Sequence, residues 1–334
     1  MASPESLAAE RAPRGRVPDF FIVGHAKCGT TALYEMLRRH PQIYMPDFKE
    51  PMFFARNAQP PNTSGRVSFE QTGRRSESLE DYLALFADAG PAQRAGEAST
   101  FYLWSHEAPA RIAAAQPDAR IIAILREPAS FLHSLHMQML QNQAESETDL
   151  LKAIALEGRR REGRDIPRHS YWPQALMYSD RVRYAEQLRR YHAVFPREQV
   201  LVLIYDDFRA DNEGTVRRLL RFLDVDEDVP LTVLEANPSV NVRAVRFDSL
   251  VREVRQGRSA GSRALRQSVR TLTSQRVREA LLYPLRRRVV YGDPRPPEEA
   301  LMAELRRRFE HEVVALSDYL ERDLITLWGY NGVR

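Results

Sequence analysis

The chain has 334 residues, 43% of them apolar and 9% aromatic, with a formal charge of +4 and a single cysteine, Cys28. This composition suits a globular protein with a sizeable core, built as one large α/β domain or two ordinary ones. It excludes an intrachain disulfide and a cysteine-built metal site, and no apolar run approaches the ~20 residues that span a bilayer.

The N-terminal stretch, residues 1–16, has no apolar signal core and reads as a disordered leader before a domain over 17–334. A cytoplasmic protein is therefore expected. Asp19 to Val23 (DFFIV) is a short apolar run ending at glycine, as a buried parallel strand does. Thr31 to Arg39 follows with good helix formers, and His40-Pro41 stops it. Residues 55–80 are rich in Pro, Gly and Ser and predict a surface loop. Ala95 to Ser99 predicts a second strand, ahead of the aromatic patch Phe101, Tyr102, Trp104. Arg120 to Leu125 (RIIAIL) predicts a third, followed by a helix to about Gln143. Helical stretches are expected over Asp149 to Arg161 and Ala175 to Phe195. Gln199 to Ile204 predicts a further strand, then a turn at Tyr205-Asp206-Asp207-Phe208 and a helix to Leu223. Strands alternating with helices predict a parallel α/β sheet flanked by helices, in a single domain with helical insertions.

Charge is unevenly spread. Residues 251–290 hold eleven arginines against two glutamates, about +9, so the remainder of the chain carries about −5. The bland reading of this basic helical segment is a solvated helix face. No nucleic-acid-binding pattern accompanies it, and no apolar face suited to a membrane surface lies opposite the arginines. Lysine is scarce: Lys27, Lys49 and Lys152 stand against 46 arginines. A compact ammonium differs from a planar guanidinium fork, so these positions suggest sites where arginine does not serve.

Two motifs carry chemistry. Gly24-His25-Ala26-Lys27-Cys28-Gly29-Thr30-Thr31-Ala32-Leu33 joins the first strand to its helix. Its glycines have Walker A spacing, but Thr30 stands where that loop needs lysine and Lys27 lies inside. Backbone N–H groups, a helix dipole, two threonines and a lysine at a strand–helix turn make an anion site. At the end of the third strand, Leu125-Arg126-Glu127-Pro128-Ala129-Ser130-Phe131-Leu132-His133-Ser134 places an arginine and a serine eight residues apart, apt for a phosphate.

Together these motifs resemble the sulfotransferases that use 3′-phosphoadenosine-5′-phosphosulfate (PAPS), and the glycosaminoglycan and bacterial branch more than the small cytosolic one. Gly96-Glu97-Ala98-Ser99-Thr100-Phe101-Tyr102-Leu103, Tyr205-Asp206-Asp207-Phe208 and the run from Leu305 through Asp323-Leu324 to Trp328-Gly329 extend the likeness. The resemblance implies a P-loop-type sheet and transfer of a sulfuryl group from PAPS to a hydroxyl, or less readily an amine, of a small-molecule or carbohydrate acceptor. No metal is required. It assigns the 5′-phosphosulfate to Lys27, Cys28, Gly29, Thr30, Thr31 and Ala32, and the 3′-phosphate to Arg126 and Ser134. Arg243, in a late loop over the adenine, joins them. Lys27 would steady the leaving phosphate. In Lys49-Glu50-Pro51-Met52-Phe53-Phe54 the resemblance makes Glu50 the general base, and an apolar neighbourhood suits such a carboxylate. The plain alternative for those two residues is a solvated Lys49–Glu50 ion pair on a loop. His25, His106 and His136 are rival bases. Lys49, Tyr102 and His106 are expected near the acceptor. Ala98 departs from the lysine common among glycosaminoglycan relatives, which points to a different acceptor surface. Two other readings stand beside this one: a P-loop nucleotide kinase or NTPase, and a non-catalytic PAPS-binding protein.

Overall fold

The computed structural model describes residues 15–55, 78–167, 170, 172–231, 241–242, 291–292 and 297–332. Most of the expected leader and surface loop, and the whole basic segment 251–290 with Arg243, lie outside these residues.

Five strands form one parallel sheet: β1 (Phe20–Ile22), β2 (Ile43–Tyr44), β3 (Arg94–Ala98), β4 (Arg120–Leu125) and β5 (Val200–Ile204). Their order is β2-β3-β1-β4-β5. β1 is central, and Phe20, Phe21 and Ile22 are fully buried, as a strand covered on both faces must be. The chain passes from β3 on one side of β1 to β4 on the other. Open sheets of this kind bind ligands at such a crossing, beyond the carboxyl ends of the strands.

Four sequence expectations need correction. β2 went unread because two residues carry no periodicity. The expected turn at Tyr205 to Phe208 is the first turn of a helix, Tyr205–Ala210. A second helix, Asn212–Phe222, starts where the Asp211 carboxylate accepts from Gly214 N–H. The stretch Asp149 to Arg161 divides at Leu156 into helices Leu150–Ala155 and Glu157–Arg161. The stretch Ala175 to Phe195 likewise divides, into Tyr178–Arg181 and Tyr184–His192.

The chain gathers into two compact units. The first, Met1–Phe131 with Met177–Ala236 and Leu305–Arg334, contains the whole sheet. Its C-terminal residues return to the strand ends. Arg322 grips Asp207 with two bonds of 2.6 and 2.7 Å, Trp328 Nε1 donates to Asp206 at 3.0 Å, and buried Tyr330 donates to Glu127 at 2.8 Å. The Arg322 and Trp328 bonds join the Tyr205–Phe208 motif to the C-terminal run from Leu305 to Gly329.

The second unit, Leu132–Leu176 with Asn237–Glu304, is held by a buried ion pair. Arg160 donates to both oxygens of Glu145, at 2.7 and 2.8 Å, and the two side chains are 1% and 0% exposed. Removing one partner strands the other charge away from water. Glu145→Gln is therefore expected to lower stability by about 3 kcal/mol, read from urea titration, with a smaller loss when both residues become apolar.

Candidate functional site

The phosphate loop begins where β1 leaves the sheet. Val23 N–H still donates to Ile122 of β4 at 2.9 Å, and its carbonyl accepts from Leu103 N–H at 2.9 Å. A Cβ on Gly24 would lie 2.7 Å from the Ile124 carbonyl oxygen, so a glycine is needed there. Lys27 (φ 68°) and Gly29 (φ 91°) then turn the chain through left-handed conformations. A Cβ on Gly29 would also come within 3.1 Å of the Tyr205 ring. The helix Thr30–Leu37 starts at Gly29 without any side-chain cap. Its first N–H groups are thus left for an anion, at the positive end of the helix dipole. Thr30 and Ala32 are buried, whereas Thr31 is exposed. Cys28 is fully buried, and burial pushes its thiol up to about 12, which keeps it neutral.

Arg126 stands on the β4 side of this loop. Its Nη1 donates to the Lys27 carbonyl at 2.9 Å, its Nε donates to Ser130 Oγ at 2.9 Å, and its guanidinium covers the Tyr205 ring at 5.1 Å. Tyr184 donates to the Arg126 carbonyl at 3.1 Å. The next residue, Glu127, caps the helix Pro128–Gln141 by accepting from Ala129 and Ser130 N–H. Burial, then the nearby Arg126, lowers the Lys27 pKa. Among the described residues neither cation has a carboxylate ion pair. Ser134 lies buried further along the same helix, in the second unit.

Glu50 stands on the β3 side. Its N–H donates to the Ala98 carbonyl at 3.1 Å, its Oε2 accepts from Thr100 at 3.2 Å, and its Oε1 accepts from Lys49 at 2.9 Å. The expected Lys49–Glu50 ion pair therefore exists, partly shielded, at 19% and 25% exposure. The end of β3 is itself tied to β1, since Ser99 N–H donates to Ile22 at 3.2 Å. The order β3-β1-β4 thus puts Glu50 and Arg126 on opposite flanks of the loop.

The remaining expectations divide. Tyr102 is fully buried and donates to Glu97 at 3.1 Å, so it belongs to the core rather than an acceptor surface. His106 is exposed. His25 is buried, bonded to Gln187 at 3.0 Å and stacked on Phe131. Burial, then the charge of Arg181, drives its pKa down to about 3, so it stays neutral. His136 is buried with its pKa lowered by burial. Arg181 is also buried, stacked on Trp104 at 4.1 Å and Phe101 at 5.0 Å, which assigns part of the aromatic patch to packing.

Sequence reasoning passed over Glu97 as a functional group. This carboxylate is fully buried in β3 and accepts from Tyr82 (2.5 Å), Tyr102 (3.1 Å) and Ser99. The one signal for it was an acid set between small residues near the end of the strand RAGEA.

The model of the sulfotransferase family matches residues 18–229, which hold the loop, Glu50, Glu97 and Arg126. The chain belongs to the sulfotransferase family. A sulfotransferase structure from Alicyclobacillus acidocaldarius is 26% identical, with a TM-score of 0.66 over 94% of this chain and 99% of that one. Mouse carbohydrate sulfotransferase 15 is 25% identical over 70% of this chain and 49% of its own length. Human heparan sulfate glucosamine 3-O-sulfotransferase 6 is 30% identical over 63% of this chain and 53% of its own length. The chain thus spans about half the length of these curated relatives.

Glu97 makes the stability of this chain depend on pH in one direction. Burial raises its pKa from 4.5 to about 7, against the pull of its three hydroxyl donors. The folded state therefore holds this proton more tightly than the unfolded chain. The resulting stability is fully present below pH 4.5 and is lost as pH rises through about 7, a total of about 3 kcal/mol. Glu97→Gln should remove that component, read as a flatter dependence of the urea unfolding free energy on pH.

Proposed function

We propose that this sulfotransferase-family protein moves the sulfuryl group of PAPS to a hydroxyl, or less readily an amine, of a carbohydrate acceptor. The observation that carries the reading is the strand order β3-β1-β4, which sets a capless glycine loop between a carboxylate and an arginine. The residues fit a donor with anionic groups. Lys27 and Arg126 are cations without carboxylate ion pairs among the described residues, beside unspent helix N–H groups. The bound donor supplies an activated sulfuryl group with adenosine 3′,5′-bisphosphate as leaving group.

Glu50 receives the acceptor proton, and the Lys49 ammonium and Thr100 hydroxyl hold its two oxygens in orientation. Lys27 and the loop N–H groups offset the charge that develops on the departing phosphate. Arg126 takes the 3′-phosphate in this reading. The names of the relatives, carbohydrate and heparan sulfate sulfotransferases, support a sugar acceptor. Ala98 in place of lysine supports one distinct from a heparan-like polymer.

Calorimetric titration should give tight binding of adenosine 3′,5′-bisphosphate without magnesium and none of ATP with or without it. Magnesium-dependent ATP binding alone would instead favour a kinase. Transfer from radiolabelled PAPS is then assayed on chondroitin, heparosan and simple amino sugars. Glu50→Gln should lower turnover by at least ~100-fold with bisphosphate affinity unchanged. Retained turnover would remove Glu50 as base. Lys27→Ala should cost about 3 kcal/mol of transition-state stabilisation, seen as a fall in kcat/KM. Donor binding with no transfer to any acceptor would leave a binding protein.

A further inference from the structure

The segment that carries Glu50 is held in an unusual way. Glu50 (φ 64°) and Met52 (φ 53°) both adopt left-handed backbone, which costs free energy in residues other than glycine. Three alternate N–H groups hold this strained segment to the end of β3. Glu50 donates to the Ala98 carbonyl at 3.1 Å, as parallel strands do. The other two bonds go to side chains: Met52 N–H donates to Ser99 Oγ at 3.0 Å, and Phe54 N–H donates to Tyr102 Oη at 3.2 Å.

A hydroxyl has one proton, and an N–H can bond only to its lone pairs. Ser99 and Tyr102 therefore receive the segment only while their own protons point elsewhere. Both protons go to the Glu97 carboxylate, to Oε1 from Ser99 and to Oε2 from Tyr102. Tyr82 is the third donor to the carboxylate and shares Oε2 with Tyr102, and Phe53 stacks on the Tyr82 ring at 4.6 Å. An ionised carboxylate is acceptor-only, so it can satisfy all three hydroxyls at once. A neutral carboxyl has one hydrogen to donate and an amide nitrogen two with no acceptor, so either turns at least one hydroxyl around.

We propose that Glu97 is a positioning residue for the reaction: its carboxylate fixes the polarity of the Ser99 and Tyr102 hydroxyls, which hold the strained segment 50–54 and so aim Glu50. The inference rests on the reading of Glu50 as the base, but its structural half stands apart from that reading. The ionisable groups facing Glu97 are Tyr82 from the helix Leu79–Ala84, Tyr102 beyond β3, Tyr191 from the helix Tyr184–His192, and Glu50 with its Lys49 partner. From β1, the residue in register with Glu97 is the apolar Phe21.

The test is amide hydrogen exchange across residues 50–54, run beside calorimetry with adenosine 3′,5′-bisphosphate and radiolabelled transfer from PAPS. Glu97→Gln should cut the protection factors of Met52 and Phe54 by ~10-fold or more while β1 and β4 stay protected. Turnover should fall with little change in KM or bisphosphate affinity. In the wild type, protection at Met52 should weaken as pH falls below about 7, and Glu97→Gln should erase that step. Ser99→Ala should expose Met52 alone, and Tyr102→Phe should expose Phe54 alone, which keeps the test open if Glu97→Gln does not fold. Unchanged protection at both amides overturns the proposal, as does a loss spread evenly over the sheet. A wild type that binds no bisphosphate and transfers nothing defeats the functional reading instead, with the exchange result still deciding the role of Glu97.

Discussion

The architecture depends on how the central strand is closed at its carboxyl end. β1 is buried on both faces and bonded along both edges, so every backbone group beyond Ile22 needs a partner as the chain leaves the sheet. Val23 finds Ile122 on one side and Leu103 on the other. Gly24 then passes so near Ile124 that no side chain fits. The loop that follows is forced outward between the ends of β3 and β4. Its N–H groups consequently lie where the end of β3 holds Glu50 through Ala98 and the end of β4 delivers Arg126.

Electrostatics at that edge are separated by polarity of environment. Burial, then the charge of Arg126, disfavours the charged form of Lys27, and the Arg126 guanidinium is bonded to the Lys27 carbonyl. The acidic groups of the same edge are otherwise engaged. Asp207 holds Arg322, Asp206 holds Trp328, and Glu127 caps a helix while accepting from Tyr330. Committing these carboxylates to structure leaves the loop with positive character, although the chain outside residues 251–290 carries net negative charge. The scarce lysines agree in part with this division. Lys27 lies in the glycine loop and Lys49 pairs with Glu50, whereas Lys152 is an exposed helix residue near Asp149.

Glu97 and Glu50 show two uses of the same side chain in neighbouring places. Glu50 is partly exposed, paired with an ammonium, and set on strained backbone. Glu97 is sealed among tyrosines and gathers hydroxyl protons. One lies at the edge of the loop within reach of solvent, and the other is closed among hydroxyl donors.

Much of this was legible in the sequence. Buried parallel strands show as apolar runs, so DFFIV and RIIAIL marked β1 and β4, and the glycine spacing marked the turn from β1 into its helix. The family followed from local motifs. Chain order alone did not say that β3 and β4 flank β1, because strand order depends on which edges pair across long crossovers. Only the fold showed that Tyr102 is sealed in the core, since an aromatic residue after a strand reads alike whether it faces solvent or packing. The importance of Glu97 was equally hidden. Its meaning comes from Tyr82, Ser99, Tyr102 and the segment 50–54, which the tertiary structure brings within hydrogen-bond distance of one carboxylate.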